Sequence, residues 1–125
     1  MPKMTGSKFI AETFHGYGVT SVFHVPYILD GALMEMEKLG IKRVRCHSEK
    51  AAAYMADGYA RVSHRPGIAM AQSVGAANLA AGLQDAYLAV SPVIAMTGRW
   101  TPMYLYRHAY QEIDHRPLYD PVTKF

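Results

Sequence analysis

Four short strand-like runs, at residues 21–25, 41–46, 67–71 and 93–96, are spaced along the chain, and the first three each lead into a stretch with helical spacing. Few folds accept that rhythm. Parallel neighbours in a sheet need a crossover, and the crossover helix must cover a sheet face. Right-handed crossovers then place helices on both sides. The expected class is α/β: a three-layer, doubly wound sheet, mostly parallel, with helices on both faces. A length of 125 residues fits a single domain over 1–125 with room for a core.

Local signals mark out the elements. Thr5 can cap a first helix whose buried face would use Phe9, Ile10, Phe14 and Tyr17, with Gly16 and Gly18 to end it. Pro26 stops the first strand, and Asp30 can cap a second helix carrying Leu33, Met36 and Leu39 up to Gly40. The run 41–46 opens an alanine-rich helix over 47–61, and 67–71 leads into a helix over 76–88. After Gly98 the rhythm breaks into an aromatic and basic stretch with Arg99, Trp100, Tyr104, Tyr106, Arg107, His108 and Tyr110, expected as a long surface loop. Tyr and Arg are enriched at the centres of protein contacts, so such a loop is a candidate interface. Residues 122–125 suggest an edge strand.

Charge and composition remove several classes. Thirteen Lys and Arg against ten Asp and Glu are scattered along the chain, which argues against nucleic acid. The uncharged stretch between Arg65 and Asp85 is interrupted by Pro66, Gln72, Ser73 and Asn78, so no membrane span is expected. Lys3, Lys8 and Glu12 break any secretory h-region, and the lone Cys46 is expected as a buried small hydrophobe in a reducing, cytoplasmic setting. Gly16-Tyr17-Gly18 precedes a strand and lacks the last glycine of a dinucleotide loop. No phosphate loop or zinc-helix pair is present, and no metal ligands are assigned.

Glu49 stands out. It opens the alanine-rich helix directly after a strand, and in an open parallel sheet such junctions line the ligand crevice. At the next junction, Gly75 with Ala76 and Ala77 would let a flat ligand approach the main chain, and Asn78 could offer an amide hydrogen bond or satisfy local backbone. His24 is expected as a packed core histidine. The string 71–75 approximates a hydrolase elbow around Ser73, with His108, Asp114 and His115 downstream, but no glycine-rich oxyanion segment accompanies it.

Five stretches together resemble the N-terminal pyrimidine-binding domain of thiamine-diphosphate enzymes of the acetolactate synthase and 2-oxoacid decarboxylase family. They are residues 18–26, 45–61 with Ala56-Asp57-Gly58-Tyr59-Ala60-Arg61 at the end, 74–88, 91–98 and 110–114. The resemblance implies that Glu49 is the catalytic glutamate, which hydrogen-bonds the aminopyrimidine so that its exocyclic nitrogen can accept the thiazolium proton. It also implies that Pro26, Gly75 and Asn78 contact the cofactor, and that Gln111 lies near the reacting centre. The apolar neighbours of Glu49 would favour its protonated form, against the pull of the helix N-terminus. Three positions depart from the family pattern: Tyr27 stands where glycine is frequent and is assigned to the substrate pocket, Ser48 where histidine is common, and Gln72-Ser73-Val74 where Ser-Gly-Pro is usual.

The resemblance further implies a small 2-oxoacid substrate and a separate diphosphate-binding domain or chain that holds Mg²⁺ through Gly-Asp-Gly and asparagine. That motif is absent here. The chain is therefore expected to be a fragment or a separate small subunit of a homo-oligomeric lyase or carboligase, inactive alone. Two other readings are a serine hydrolase using Ser73 and a non-catalytic assembly subunit contacting partners through residues 100–110.

Overall fold

The computed structural model describes residues 3–124. Strands β1 (Ser21–His24), β2 (Lys42–Arg45), β3 (Gly67–Gln72) and β4 (Val93–Gly98) pair in parallel in the order β2-β1-β3-β4. Between and before them run α1 (Gly6–Gly16), α2 (Asp30–Lys38), α3 (Glu49–Ser63) and α4 (Gly75–Leu88). A short α5 (Arg116–Tyr119) lies between 3-10 turns at Pro102–Tyr104 and Asp120–Val122.

The central strands are covered on both sides, so residue alternation feeds two cores. Val22, Ile68 and Met70 point toward the α1 and α2 layer and pack with Ala11, Ala32, Leu33 and Met36. Phe23, Ala69 and Ala71 point the other way, onto Ala52, Ala53 and Ala56 of α3 and Leu79 and Leu83 of α4. The expected three layers are present.

Small side chains set the spacing of α3 and α4. A methyl built on Gly82 would lie 2.7 Å from the Ala53 Cβ and 2.8 Å from the Lys50 carbonyl, so its absence lets the helices run close. The Tyr54 hydroxyl donates to Asp85 Oδ2 at 2.8 Å and ties the same pair. Across the sheet, Gly67 lies so near α3 that an added Cβ would meet the Ala56 carbonyl at 2.1 Å.

Three helices end in the same hydrogen-bonded stop. After α1, Gly18 donates to His15 O and Val19 to Phe14 O; after α2, Gly40 donates to Glu37 O and Ile41 to Met36 O; after α4, Val90 donates to Tyr87 O and Ser91 to Ala86 O. The left-handed position is glycine in the first two (φ 72 and 76) and valine in the third (φ 55).

Several local expectations need correction. Asp30 is the first residue of α2, not its cap; the cap position is Leu29, in left-handed backbone at φ 46 without a side-chain bond. Ile28 anchors that connection, fully buried and close enough to Gly98 to exclude a methyl there, and the helix starts as soon as the chain leaves it. On α1, Thr5 caps as expected, but Phe9 and Tyr17 are 61% and 86% exposed while Ala11 is fully buried. Ile10 and Phe14 pack against the core as expected, and the small Ala11 joins them at its centre, which a size-weighted periodicity overlooks. Val122 closes a 3-10 turn begun at Asp120, with Pro121 fixing φ inside it, and no strand forms over 122–124. Phe125 lies outside the described residues.

Candidate active site

From β1 the chain moves outward to β2, then crosses back to β3 on the other side, so the crevice at the carboxyl ends of β1 and β3 is a topological switch point. Glu49 reaches it from the first position of α3, whose cap is the Ser48 hydroxyl accepting the Ala51 N–H at 3.2 Å. Its carboxylate is half-buried. Oε2 accepts the Asn78 side-chain amide at 3.2 Å. Oε1 occupies the space beside Gly75, where a Cβ would come within 2.6 Å of it. Three residues singled out separately in the sequence thus meet at one point, brought together by the close α3–α4 packing. In this chain by itself Glu49 is half-buried and Asn78 exposed.

Beside this cluster a cavity of about 470 Å³ is lined by Val25, Pro26, Arg45, Cys46 and His47, within the size range of small-molecule sites. Pro26 therefore faces open space next to the crevice. Tyr27 follows it at φ 69 and is 76% exposed. Gln111 is exposed on the loop after β4, in left-handed backbone at φ 62, and among the described residues no hydrogen bond joins it to the Glu49 cluster. A larger cavity of about 990 Å³ lies on the far side of α4, between Leu83, Val93, Ile94, Tyr119 and Val122. None of Glu49, Gly75 and Asn78 lines it.

His24 is buried, as expected, and its Nδ1 has no hydrogen-bond partner among the described residues. Desolvation pushes its pKa down, so the ring is kept neutral. Cys46 is buried too, with Sγ 3.6 Å from the Val44 carbonyl and 3.6 Å from Met55 Sδ. Burial raises its thiol pKa, which leaves it a packing residue.

The turn from β3 to α4 is not a hydrolase elbow. Ser73 is buried at φ 44, but His115 Nε2 donates to the Ser73 carbonyl at 3.0 Å and not to its hydroxyl. His115 Nδ1 pairs with Thr97 Oγ1 at 3.0 Å, while Asp114 accepts the Arg116 N–H. No Ser-His-Asp relay forms from these groups. Thr97 and Tyr119, whose hydroxyl donates to the Ala76 carbonyl at 2.8 Å, join His115 at this turn, a grouping the sequence does not indicate. The only local signal was the four-residue spacing of His115 and Tyr119, one helical turn.

The aromatic loop is ordered by its own contacts. Trp100 Nε1 donates to the Tyr110 carbonyl at 2.7 Å and stacks edge-on with Tyr104 at 5.7 Å. The Glu112 carboxylate accepts the N–H groups of Tyr106 and Ala109, and those backbone bonds hold its pKa low. Met103, Tyr106 and Tyr110 remain largely exposed.

This is a parallel α/β domain that presents one carboxylate beside bare backbone at the switch point, where ligands of open α/β sheets gather. The chain belongs to the thiamine pyrophosphate enzymes: residues 4–118 match the family described as thiamine pyrophosphate enzyme, N-terminal TPP binding domain. It is 35% identical over 126 residues to the acetolactate synthase isozyme 2 large subunit of Escherichia coli K12, covering 97% of this chain and 22% of that protein. It is likewise 35% identical over 128 residues to a sulfoacetaldehyde acetyltransferase of Alcaligenes xylosoxydans xylosoxydans, covering 98% of this chain and 21% of that protein. An acetolactate synthase large subunit of Lactococcus lactis is 31% identical over 127 residues. The chain spans about a fifth of the length of these relatives. Among the described residues, no helix is long and apolar enough to cross a membrane, and no group of three or more His, Cys, Asp or Glu is placed to hold a metal ion.

Proposed function

We propose that this chain is the pyrimidine-binding part of a cytoplasmic thiamine-diphosphate-dependent lyase or carboligase acting on a small 2-oxoacid, with Glu49 as its activating acid. The observation that carries this reading is the meeting of the Glu49 carboxylate, the side-chain-free face of Gly75 and the Asn78 amide at one point of the crevice. The residues fit the cofactor. Gly75 leaves the backbone open to a flat ring, Pro26 borders the adjoining cavity, and Glu49 is a single proton handle within reach of both.

When bound, thiamine diphosphate supplies an electron sink for the charge left on the carbonyl carbon as a 2-oxoacid loses carbon dioxide. Glu49 would hold a proton or a strong hydrogen bond at the pyrimidine ring nitrogen, and Asn78 would orient its carboxylate. Tyr27 and Gln111, both on rim loops, are proposed to shape the substrate pocket. The diphosphate and Mg²⁺ are assigned to a separate domain or chain, in a homo-oligomer, because the chain matches only about a fifth of relatives that carry out whole reactions.

The test is Glu49→Gln in the enzyme completed by its diphosphate-binding part. Turnover and the exchange rate of the cofactor's thiazolium proton are expected to fall at least about 10²-fold, as for loss of a positioned acid-base group, with folding unchanged. Full activity of the variant would instead favour an assembly subunit that works through the Trp100 loop.

A further inference from the structure

The turn that brings Gly75 against Glu49 is bent against the preference of its own residues. Ser73 sits at φ 44, a conformation disfavoured for any residue with a Cβ and kept only where the surroundings over-determine it. Val74, in the cap position of α4, offers no side-chain bond. The turn is therefore held from outside.

Its restraints can be traced. The Ser73 N–H donates to the Gly98 carbonyl at 2.7 Å. The Ser73 carbonyl accepts two bonds at 3.0 Å, from the Ala76 N–H and from His115 Nε2, which fills both of its lone pairs. Because a carbonyl can only accept, the ring proton lies on Nε2. In the neutral ring Nδ1 then accepts from the Thr97 hydroxyl, which seats the imidazole on β4. One helical turn later, Tyr119 donates to the Ala76 carbonyl at 2.8 Å. Two side chains from α5 and its cap thus grip consecutive bends of the segment that sets Gly75 and Asn78 around the Glu49 carboxylate.

We propose that His115 and Tyr119 are positioning residues: together they clamp the β3–α4 turn and so fix the contact of Gly75 and Asn78 with Glu49. The catalytic consequence rests on the function proposed above; the clamp itself does not. Tetrahedral reach separates two conservative variants. A glutamine at 115 can place its amide nitrogen where Nε2 stands and still donate to Ser73, whereas an asparagine reaches only the Nδ1 position beside Thr97.

The experiment compares His115→Gln, His115→Asn, His115→Ala and Tyr119→Phe in this chain by residue-resolved amide exchange and by the Asn78 side-chain amide resonances. In the Ala and Asn variants, exchange at Ser73 and Ala76 is expected to rise about tenfold or more, as for loss of a hydrogen bond in a local opening. The Asn78 amide signals should shift as its contact with Glu49 loosens, while amides of β1 and β3 stay as they were. His115→Gln should keep the original pattern, and Tyr119→Phe should affect Ala76 more than Ser73. Uniform acceleration across the core, or Gln and Asn variants that behave alike, would overturn the clamp. In the completed enzyme, kcat should fall with KM little changed and return with His115→Gln. If the exchange pattern holds but kcat does not move, the clamp stands and the role proposed for Glu49 fails.

Discussion

Gly75→Ala separates the chemistry of this site from its stability. The methyl would come 2.6 Å from Glu49 Oε1, 3.1 Å from Cδ and 3.2 Å from Cγ, all atoms of one flexible side chain. No backbone stands in its way, and Gly75 is the first residue of α4, where alanine is the better helix former by up to about 1 kcal/mol. The fold should therefore lose nothing and gain a few tenths of a kcal/mol or more. Glu49 cannot stay where it is: ordinary carbon–oxygen contact requires its carboxylate to withdraw by most of an ångström, and the 3.2 Å bond from Asn78 has little room to stretch. Misplacement on that scale costs about 10²-fold in turnover. Urea unfolding of the chain and steady-state kinetics of the completed enzyme measure the two arms. Unimpaired turnover would refute the placement of Glu49, and destabilisation by several kcal/mol would show that the methyl meets something less yielding than a carboxylate.

Two further outcomes concern the framework. Val90 holds the left-handed stop of α4 while 89% exposed, so Val90→Gly removes strain of about 1–2 kcal/mol against an entropic cost of about 0.5–1 kcal/mol; a net gain of roughly 1 kcal/mol in urea unfolding is expected, and an unchanged or lower midpoint would contradict it. Asp57 is held below its ordinary 3.8 chiefly by hydrogen bonds from Arg61, so its contribution to stability is complete above that value and is lost as pH falls through the lower folded one; Asp57→Asn should flatten that acid limb of the stability curve, and an unaltered limb would point to another carboxylate.

What the sequence makes legible is set by the range of the interactions. Strands and helices appear because their periodicity is local; Glu49 and Gly75 each open a helix after a strand, and Asn78 lies in the first turn of the second. Their meeting needed only the topology and small residues between α3 and α4. Of the expected buried face of α1, Ile10 and Phe14 pack against the core, but contact with α2 selects Ala11 over the larger Phe9 and Tyr17. The start of α2 was displaced by the burial of Ile28, a tertiary event with no mark in the capping pattern. The sequence offers His115 only as a base for the Ser73 hydroxyl; its actual partner, the Ser73 carbonyl, lies 42 residues earlier and carries no side-chain signature.

The bare backbone at Gly67, Gly75 and Gly82 has a consequence for how such a domain can diversify. At Gly67 and Gly82 an extra methyl collides with the backbone of α3, and at Gly75 it displaces the Glu49 carboxylate, so the packing that carries the site tolerates almost no rewriting without loss of fold or of site geometry. The loop beside Pro26 is under no such restriction: Tyr27 is exposed in left-handed backbone, and its side chain can be exchanged without disturbing a packed layer. New preferences for what enters the cleft are therefore to be sought in that loop, above a foundation that stays the same.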